Sequence, residues 1–491
     1  MHQLSDFVLL SAAGVLVSLV AFVSEVVSRK QIIPQWLSRK ILHTFSVGLC
    51  GLMPFLLKDF DALFWIVLVA EILLLILVGR GILFKEDSGR KSWGIALFPL
   101  PYLFLIWQFP MHPWLIAIPM IILALSDSAA AIFGKLFAKK HYSLTGDPKS
   151  LIGSIAFFVT TCAILFLIPK IIYLPHAFRE DLFHMFIPLF SFLVTLSEAM
   201  GSKGTDNLFV PVSAAVLLQL FYVWDLEWIT ILVLPVLSLL FLWSSIRFKL
   251  LDLSGAVAAV LLGATVVLFS GWIWIFPLAF FLFSSSFISR IPGFRKSGIA
   301  AKEGKPRDWK QVFCNGGLYG VLSTVYSLLP NFYQGDLQFL MLVSMAVATS
   351  DTWASEIGVG MKGKVLDLLN WKRVESGISG GISLAGTAGG LLGSASIAAM
   401  FLLFMPKAHN SSILFIVILT LGFFGMLVDS LLGAWLQGKY VTESGRILDD
   451  QQGNSKIIKG YRFIDNDLVN LISQMIIVFI CFQGIWFIKT M

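Results

Sequence analysis

Sixteen apolar stretches follow one another along this chain, at roughly 7–28, 41–57, 61–83, 93–109, 113–136, 151–169, 181–200, 207–223, 228–246, 254–270, 272–289, 312–330, 337–357, 380–405, 412–437 and 465–488. Each is long enough to cross a hydrocarbon core ~30 Å thick. Inside lipid every backbone N–H and C=O needs a partner within the protein, and a continuous helix supplies one for each. The pattern therefore predicts an all-α polytopic membrane protein with about 16 transmembrane helices. Composition agrees: 57% of residues are hydrophobic and 13% charged, where soluble domains carry about 25% charged residues.

The first apolar run lacks a basic leader and is too long for a signal-peptide core, so it reads as a membrane helix. Cys50, Cys162, Cys314 and Cys481 lie in apolar segments without CxxC spacing, which excludes a zinc site or a disulfide framework. The net charge of +7 is not a nucleic-acid stripe. With the N-terminus outside, alternate loops on one side hold 31 of the 36 Lys and Arg. That asymmetry is the positive-inside pattern, and it predicts that those loops face the cytoplasm or its organellar equivalent.

The chain also repeats itself. "DSAAAIFG" at 127–134 and "DTWASEIG" at 351–358 both place Asp, then Ala three residues on, then Gly seven on. Twenty-two residues beyond each Asp stands a basic residue, Lys149 or Arg373, and four further on a glycine, Gly153 or Gly377. Glu198 and Asp429 then end apolar helices, and Asp206-Asn207 and Asp465-Asn466 follow. The landmarks run in the same order and orientation, so two parallel modules are expected, about 1–250 and 251–491. Each would build its own polar site on the same membrane face.

An ionised carboxylate at the end of a membrane span costs several kcal/mol without a partner or a wet cavity. Oxygens from Asp127, Glu198, Asp206 and Asn207 in one half suit a hard cation such as Mg²⁺. Asp351, Glu356, Asp429, Asp465 and Asn466 offer the same in the other half. A basic residue followed by Ser150 and glycine at a helix start suits phosphate oxygens. Arg307, Gln311 and Asn315 add a polar stripe at four-residue spacing. Acid, metal, base and phosphate together point to phosphoryl or nucleotidyl transfer, with an apolar acceptor entering from the lipid. "GVGMKG" at 358–363 follows a membrane helix and not a strand, so it is not read as a dinucleotide site. Glu25 and Glu71 carry no motif and read as helix-packing residues. His112, His176 and His409 show no metal-ligand spacing.

The first half resembles the phytol kinase and dolichol kinase family in "RKILHTFSVG" (39–48), "SDSAAAIFGKLFAKKH" (126–141), "KSLIGS" (149–154) and "SEAMGSKGTDNLFVP" (197–211). Ile152 stands where that family usually has an acid. The second half is similar to the membrane family that includes phytyl-phosphate kinase, in "GKPRDWKQVFCNGG" (304–317), "ATSDTWASEIG" (348–358), "RVESGISGGISLAGTAGGLLG" (373–393), "GMLVDSLLGAWLQ" (425–437) and "DNDLVNLIS" (465–473).

The resemblance implies a fused enzyme that phosphorylates an isoprenoid alcohol to its monophosphate and then to its diphosphate. Phytol, farnesol and geranylgeraniol are the alcohols it suggests. CTP, or UTP or ATP, would be the donor, with Mg²⁺. Asp127, Lys149, Asp206, Asp351, Arg373 and Asp429 would be catalytic. Arg39, His43, Lys149, Ser150, Gly153 and Lys203 would hold the first nucleotide, and Arg307, Gln311, Asn315, Arg373 and Gly377 the second. A cell inner membrane or an organelle membrane is the expected location, with the sites on the cytoplasmic-equivalent face. The sequence leaves open a single-step polyprenol kinase, a cytidylyltransferase and a transporter. A transporter is expected to place its polar groups near the midplane; here they gather at helix ends.

Overall fold

The computed structural model describes residues 2–80, 97–171, 179–223, 226–291, 306–329, 331–361, 363–405, 411–443, 445, 447–449, 451, 453 and 455–490. These form two compact units, Met1–Leu240 and Phe241–Met491. Among the described residues there are sixteen α-helices, one for each apolar stretch of the sequence. The protein is an all-α polytopic membrane protein.

The first unit contains α1 (His2–Arg29), α2 (Gln35–Leu56), α3 (Asp61–Gly79), α4 (Pro99–Gln108), α5 (Pro113–Phe137), α6 (Leu151–Ile171), α7 (Glu180–Met200) and α8 (Asp206–Val223). The boundary between the units falls inside α9 (Trp228–Arg247). The second unit continues with α10 (Leu253–Ser270), α11 (Ile275–Ile288), α12 (Trp309–Leu328), α13 (Asn331–Gly360), α14 (Leu384–Phe404), α15 (Ser411–Trp435) and α16 (Asn466–Thr490).

Eleven helices among the described residues are long and apolar enough to cross a membrane. The others do not meet that standard. Helix α4 is ten residues long, and residues 93–96 of that expected span lie outside the described residues. The expected 272–289 span is divided into a 3₁₀ turn, Trp272–Trp274, and the short α11. Helices α2, α12 and α13 carry the polar residues that build the sites described below.

Each unit is organised around one central helix. In the first this is α5, almost wholly buried from Trp114 to Ala124, against which α2, α6 and α8 pack. In the second it is α13, whose Leu340–Ala348 segment is buried on every side by α11, α12, α14, α15 and α16. An α-helix apolar all round is a core helix. The membrane therefore meets the surrounding helices, whose outer faces expose Leu, Ile, Val, Phe and Trp.

Short antiparallel hairpins join the helices. Strands β1 (His141–Ser143) and β2 (Pro148–Ser150) lead into α6, and β3 (Leu366–Asp367) and β4 (Gly381–Ile382) lead into α14. A three-stranded sheet of β5 (Lys439–Val441), β6 (Ile447–Leu448) and β7 (Lys456–Lys459) lies between α15 and α16, in the order β6-β5-β7.

Candidate functional site

In the first unit, Asp127 lies in the last three turns of α5. Lys40 Nζ on α2 donates to Asp127 Oδ2 at 2.5 Å, and His43 Nε2 lies 3.4 Å from the same oxygen. One turn on, Thr44 and Ser128 hydroxyls are 2.5 Å apart. Glu198 comes from the end of α7, where Lys149 Nζ meets its Oε1 at 2.5 Å and its backbone carbonyl at 2.9 Å. The same ammonium is 3.3 Å from Oδ2 of Asp206, the first residue of α8. Three helix ends thus converge. Asp127, Glu198 and Asp206 each present a carboxylate oxygen within 4.8 Å of the others, which a cation between them could bind. Burial works against the charge on Lys149, but Glu198 and Asp206 outweigh it and hold the ammonium above the usual lysine range.

Asn207 is partly buried beside this cluster, and its N–H donates to Asp206 Oδ1. Ser150 Oγ accepts from Gly153 N at 3.1 Å, which caps the start of α6. Arg39 and Lys203 are exposed; Lys203 contributes its backbone N–H to Asp147 Oδ2 at 2.5 Å. From α2 both His43 and Lys40 reach Asp127; the sequence motif points to His43 and to Arg39, the exposed neighbour of Lys40. Lys40, His43, Thr44 and Val47 are spaced as one helix face, and that spacing was the available signal.

In the second unit a polar cavity of ≈ 670 Å³ gathers Arg307, Gln311, Asn315, Asp351, Glu356, Gly377, Asp429, Asp465 and Asn466. Asp351 on α13 and Asp429 on α15 face one another within hydrogen-bonding reach. Ser473 on α16 donates to Asp429 Oδ2 at 3.0 Å, and the Asn470 amide nitrogen can be turned to the same oxygen at 3.1 Å. Neither was singled out from the sequence, although Asn466, Asn470 and Ser473 form a polar stripe on an apolar helix. Lys310 forms an ion pair with Asp465.

Arg307 is held from its backbone. Its carbonyl accepts from Asp252 N at 3.0 Å, and a Cβ at Gly255 would collide with that carbonyl. The Asp308 carboxylate caps α12 by accepting from Gln311 N. Burial pushes the Arg307 guanidinium below its usual value against the pull of Glu356. The guanidinium also lies over the Phe281 ring, 5.4 Å from its centroid. Arg290, one of the seven Lys and Arg at 290–310 expected to supply positive charge here, lines the cavity, and Lys249 adds a cation not singled out from the sequence. Of the seven Lys and Arg at 290–310, Arg295, Lys296, Lys302 and Lys305 lie outside the described residues.

A loop rich in small residues, 376–383, also lines this cavity and runs into the N-terminus of α14. Gly377 and Gly380 take φ of +92° and +86°, a region that disfavours other side chains. Ser376 Oγ is buried without a hydrogen-bond partner among the described residues. A glycine loop feeding a helix N-terminus is a physical cradle for an anion.

Two expectations are corrected by this geometry. Arg373 is exposed and does not line the cavity; its backbone bridges Leu366. Nor is Gly377 the counterpart of Gly153. Ser383 Oγ accepts from Gly386 N at 3.1 Å, as Ser150 does from Gly153. A Cβ on Gly386 would stand 2.8 Å from Ala354 O, and one on Gly153 2.9 Å from Ala130 O. The register therefore pairs Ser150 with Ser383 and Gly153 with Gly386, which places Ile382 and not Arg373 opposite Lys149. The loop after the central helix is nine residues longer in the second unit (386 − 351 = 35 against 153 − 127 = 26), and Arg373 is equidistant from Asp351 by coincidence.

Apolar spanning helices that gather carboxylates beside cations at their ends define an integral membrane protein with polar clusters on a helical scaffold. Residues 236–478 match the family described as "Integral membrane protein DUF92", which covers most of the second unit. The chain is also similar to Protein PGR of Arabidopsis thaliana, 27% identical over 267 residues, which is 50% of this chain and 92% of that protein. An uncharacterized membrane protein of Methanocaldococcus jannaschii is 28% identical over 221 residues, 45% of this chain and 87% of its own length. No solved structure matches the chain.

Proposed function

We propose that the protein is a membrane phosphotransferase that phosphorylates an isoprenoid alcohol in its first unit and the resulting monophosphate in its second, with CTP or a related nucleoside triphosphate as donor. The observation that carries this reading is the convergence, in each unit, of carboxylates from separate helix ends with a fixed cation beside them.

A Mg²⁺ ion fits the donor set of the first unit, since hard oxygen ligands from three carboxylates lie close enough to share one cation. When bound, such an ion neutralises charge on the donor phosphates. Asp127, Glu198 and Asp206 would hold it. Lys149, kept protonated by Glu198 and Asp206, would meet the phosphate oxygens. Lys40 and His43 orient Asp127, and His43 is the group nearest to it that can take up a proton from an acceptor hydroxyl.

In the second unit Asp351, Asp429 and Asp465 are the matching oxygen donors. An acceptor monophosphate is already largely ionised near neutral pH, so cations matter more there than a base. Arg307, Lys249 and Arg290 provide them, and the Ser376 hydroxyl in the glycine loop adds a donor. In each unit the acceptor oxygen would bond to the terminal phosphorus as the bond to the leaving nucleoside diphosphate breaks.

The test is incubation of purified full-length protein with labelled CTP, UTP or ATP and a panel of prenols, followed by separation of prenyl monophosphate from diphosphate. Transfer of label to both products supports the reading. Transfer of the nucleoside monophosphate moiety, or no product with any prenol, overturns it.

A further inference from the structure

The second-unit hairpin carries a feature that the proposed chemistry leaves unused. Its turn, 367–373, is built on the buried carboxylate of Asp367. Asp367 Oδ1 accepts from Leu369 N at 3.0 Å and Asn370 N at 3.2 Å. Its backbone N–H donates to Lys372 O, and its carbonyl accepts from Trp371 N, both at 2.9 Å. Asn370 Oδ1 accepts from Lys372 N at 2.9 Å.

The result is a rigid turn in which Trp371, not a glycine, sits at φ +55°. A bulky residue in that region costs on the order of 1–3 kcal/mol and persists only where its surroundings impose it. The outcome is an indole that is 66% exposed, beside an exposed Leu369 and next to Lys372 and Arg373. Lys364 is exposed on the other arm, and Glu375 is the one exposed acid close by among the described residues.

We propose that this turn is an interfacial anchor, with Trp371 and Leu369 seated at the level of the lipid headgroups and Lys364, Lys372 and Arg373 engaging anionic phospholipids. Position supports this occupant. The hairpin leaves α13 at Gly360 and enters α14 at Leu384, whose side chain is 88% exposed at the start of a membrane span. The turn extends only two or three residues past the Leu366–Arg373 bridge, a reach of about 10 Å at 3.3 Å per residue. Trp prefers the membrane interface, and basic residues beside a span are drawn to an anionic leaflet. In the first-unit hairpin, β1–β2, the connection at 144–147 carries no Trp, and its one Leu, Leu144, is buried. The anchor is a property of the second unit and does not depend on the phosphotransferase reading.

The experiment uses full-length protein, freed of its four native cysteines and carrying Asn370→Cys labelled with an environment-sensitive fluorophore, in nanodiscs. With phosphatidylglycerol present, the emission should shift to shorter wavelength and be quenched by headgroup-depth spin-labelled lipid. Trp371→Gly keeps the left-handed backbone at no steric cost, so it should fold and yet lose most of the quenching. Replacing Lys364, Lys372 and Arg373 by Ser should lower the preference for phosphatidylglycerol over phosphatidylcholine nanodiscs by about 100-fold. Water-like emission in every lipid overturns the proposal. So does insertion that is indifferent to both Trp371→Gly and the triple substitution.

Discussion

Gly386 of α14 lies against Ala354 of α13 so closely that a Cβ at 386 would stand 2.8 Å from the Ala354 carbonyl oxygen. The obstacle is backbone in a central helix, which cannot swing aside as a side chain could. Gly386→Ala should therefore force α14 away from α13 and cost about 1–3 kcal/mol by overpacking. A drop in Tm of detergent-solubilised protein checks this. Gly484→Ala is the control: a Cβ there would meet no neighbouring element within 4 Å, so its Tm should hold or rise slightly.

That contact also marks where the sequence could and could not be read. The helices were legible because a bilayer demands long apolar segments, and hydropathy reports those directly. The boundary residues Asp127, Glu198, Asp206, Asp351, Asp429 and Asp465 were legible because carboxylates recur in the same order in the two halves. Loop register was not, since no period governs a loop: nine extra residues put Arg373 and Gly377 at a misleading distance from Asp351. Lys40 was hidden beside Arg39, because adjacent residues on a helix look alike in a motif yet point about 100° apart. Asn470 and Ser473 lie inside an apolar span, where a polar residue is visible only as a stripe.

The carboxylate clusters belong to separate units, and so should their losses. Asp127→Asn should reduce alcohol phosphorylation by at least about 100-fold while monophosphate phosphorylation persists, the scale expected for damage to a metal site. Asp351→Asn should do the reverse and let prenyl monophosphate accumulate. Product analysis by thin-layer chromatography reads both, and loss of both steps from either substitution would contradict two independent sites. Chelation with EDTA should stop both steps, and added Mg²⁺ should restore them.

Lys149 leads to a pH prediction. Its ammonium is held above the usual lysine value by Glu198 and Asp206 in spite of burial. A raised folded-state value means the stabilisation is fully present below the unfolded lysine value of about 10.4 and is lost only as pH rises through the higher folded one. Between pH 7 and 9.5 the charge on Lys149 should therefore stay constant. Thermal melts of the wild type and Lys149→Met should run parallel across that range, with the variant lower throughout. A gap that closes before pH 9.5 would show that Lys149 titrates earlier than this geometry requires.

The second unit depends on Arg307 for a different reason. Position 382, opposite Lys149 in the corrected register, is Ile, so the positive charge there must come from elsewhere. Arg307 is the cation with a fixed backbone, a Phe281 ring beneath it and Glu356 as its charge partner. It lines the same cavity as the glycine loop, as two anions meeting in one site would need. A charge-assisted contact of this kind is worth about 1.5–3 kcal/mol, so Arg307→Ala should raise KM for prenyl monophosphate or nucleotide by about 10–100-fold. Arg307→Lys should recover part of that loss by restoring the charge without the planar fork. Alcohol phosphorylation in the first unit should be unchanged in both variants. Steady-state kinetics of each step, run separately on prenol and prenyl monophosphate, decide the matter: a wild-type KM in Arg307→Ala would remove Arg307 from the binding site.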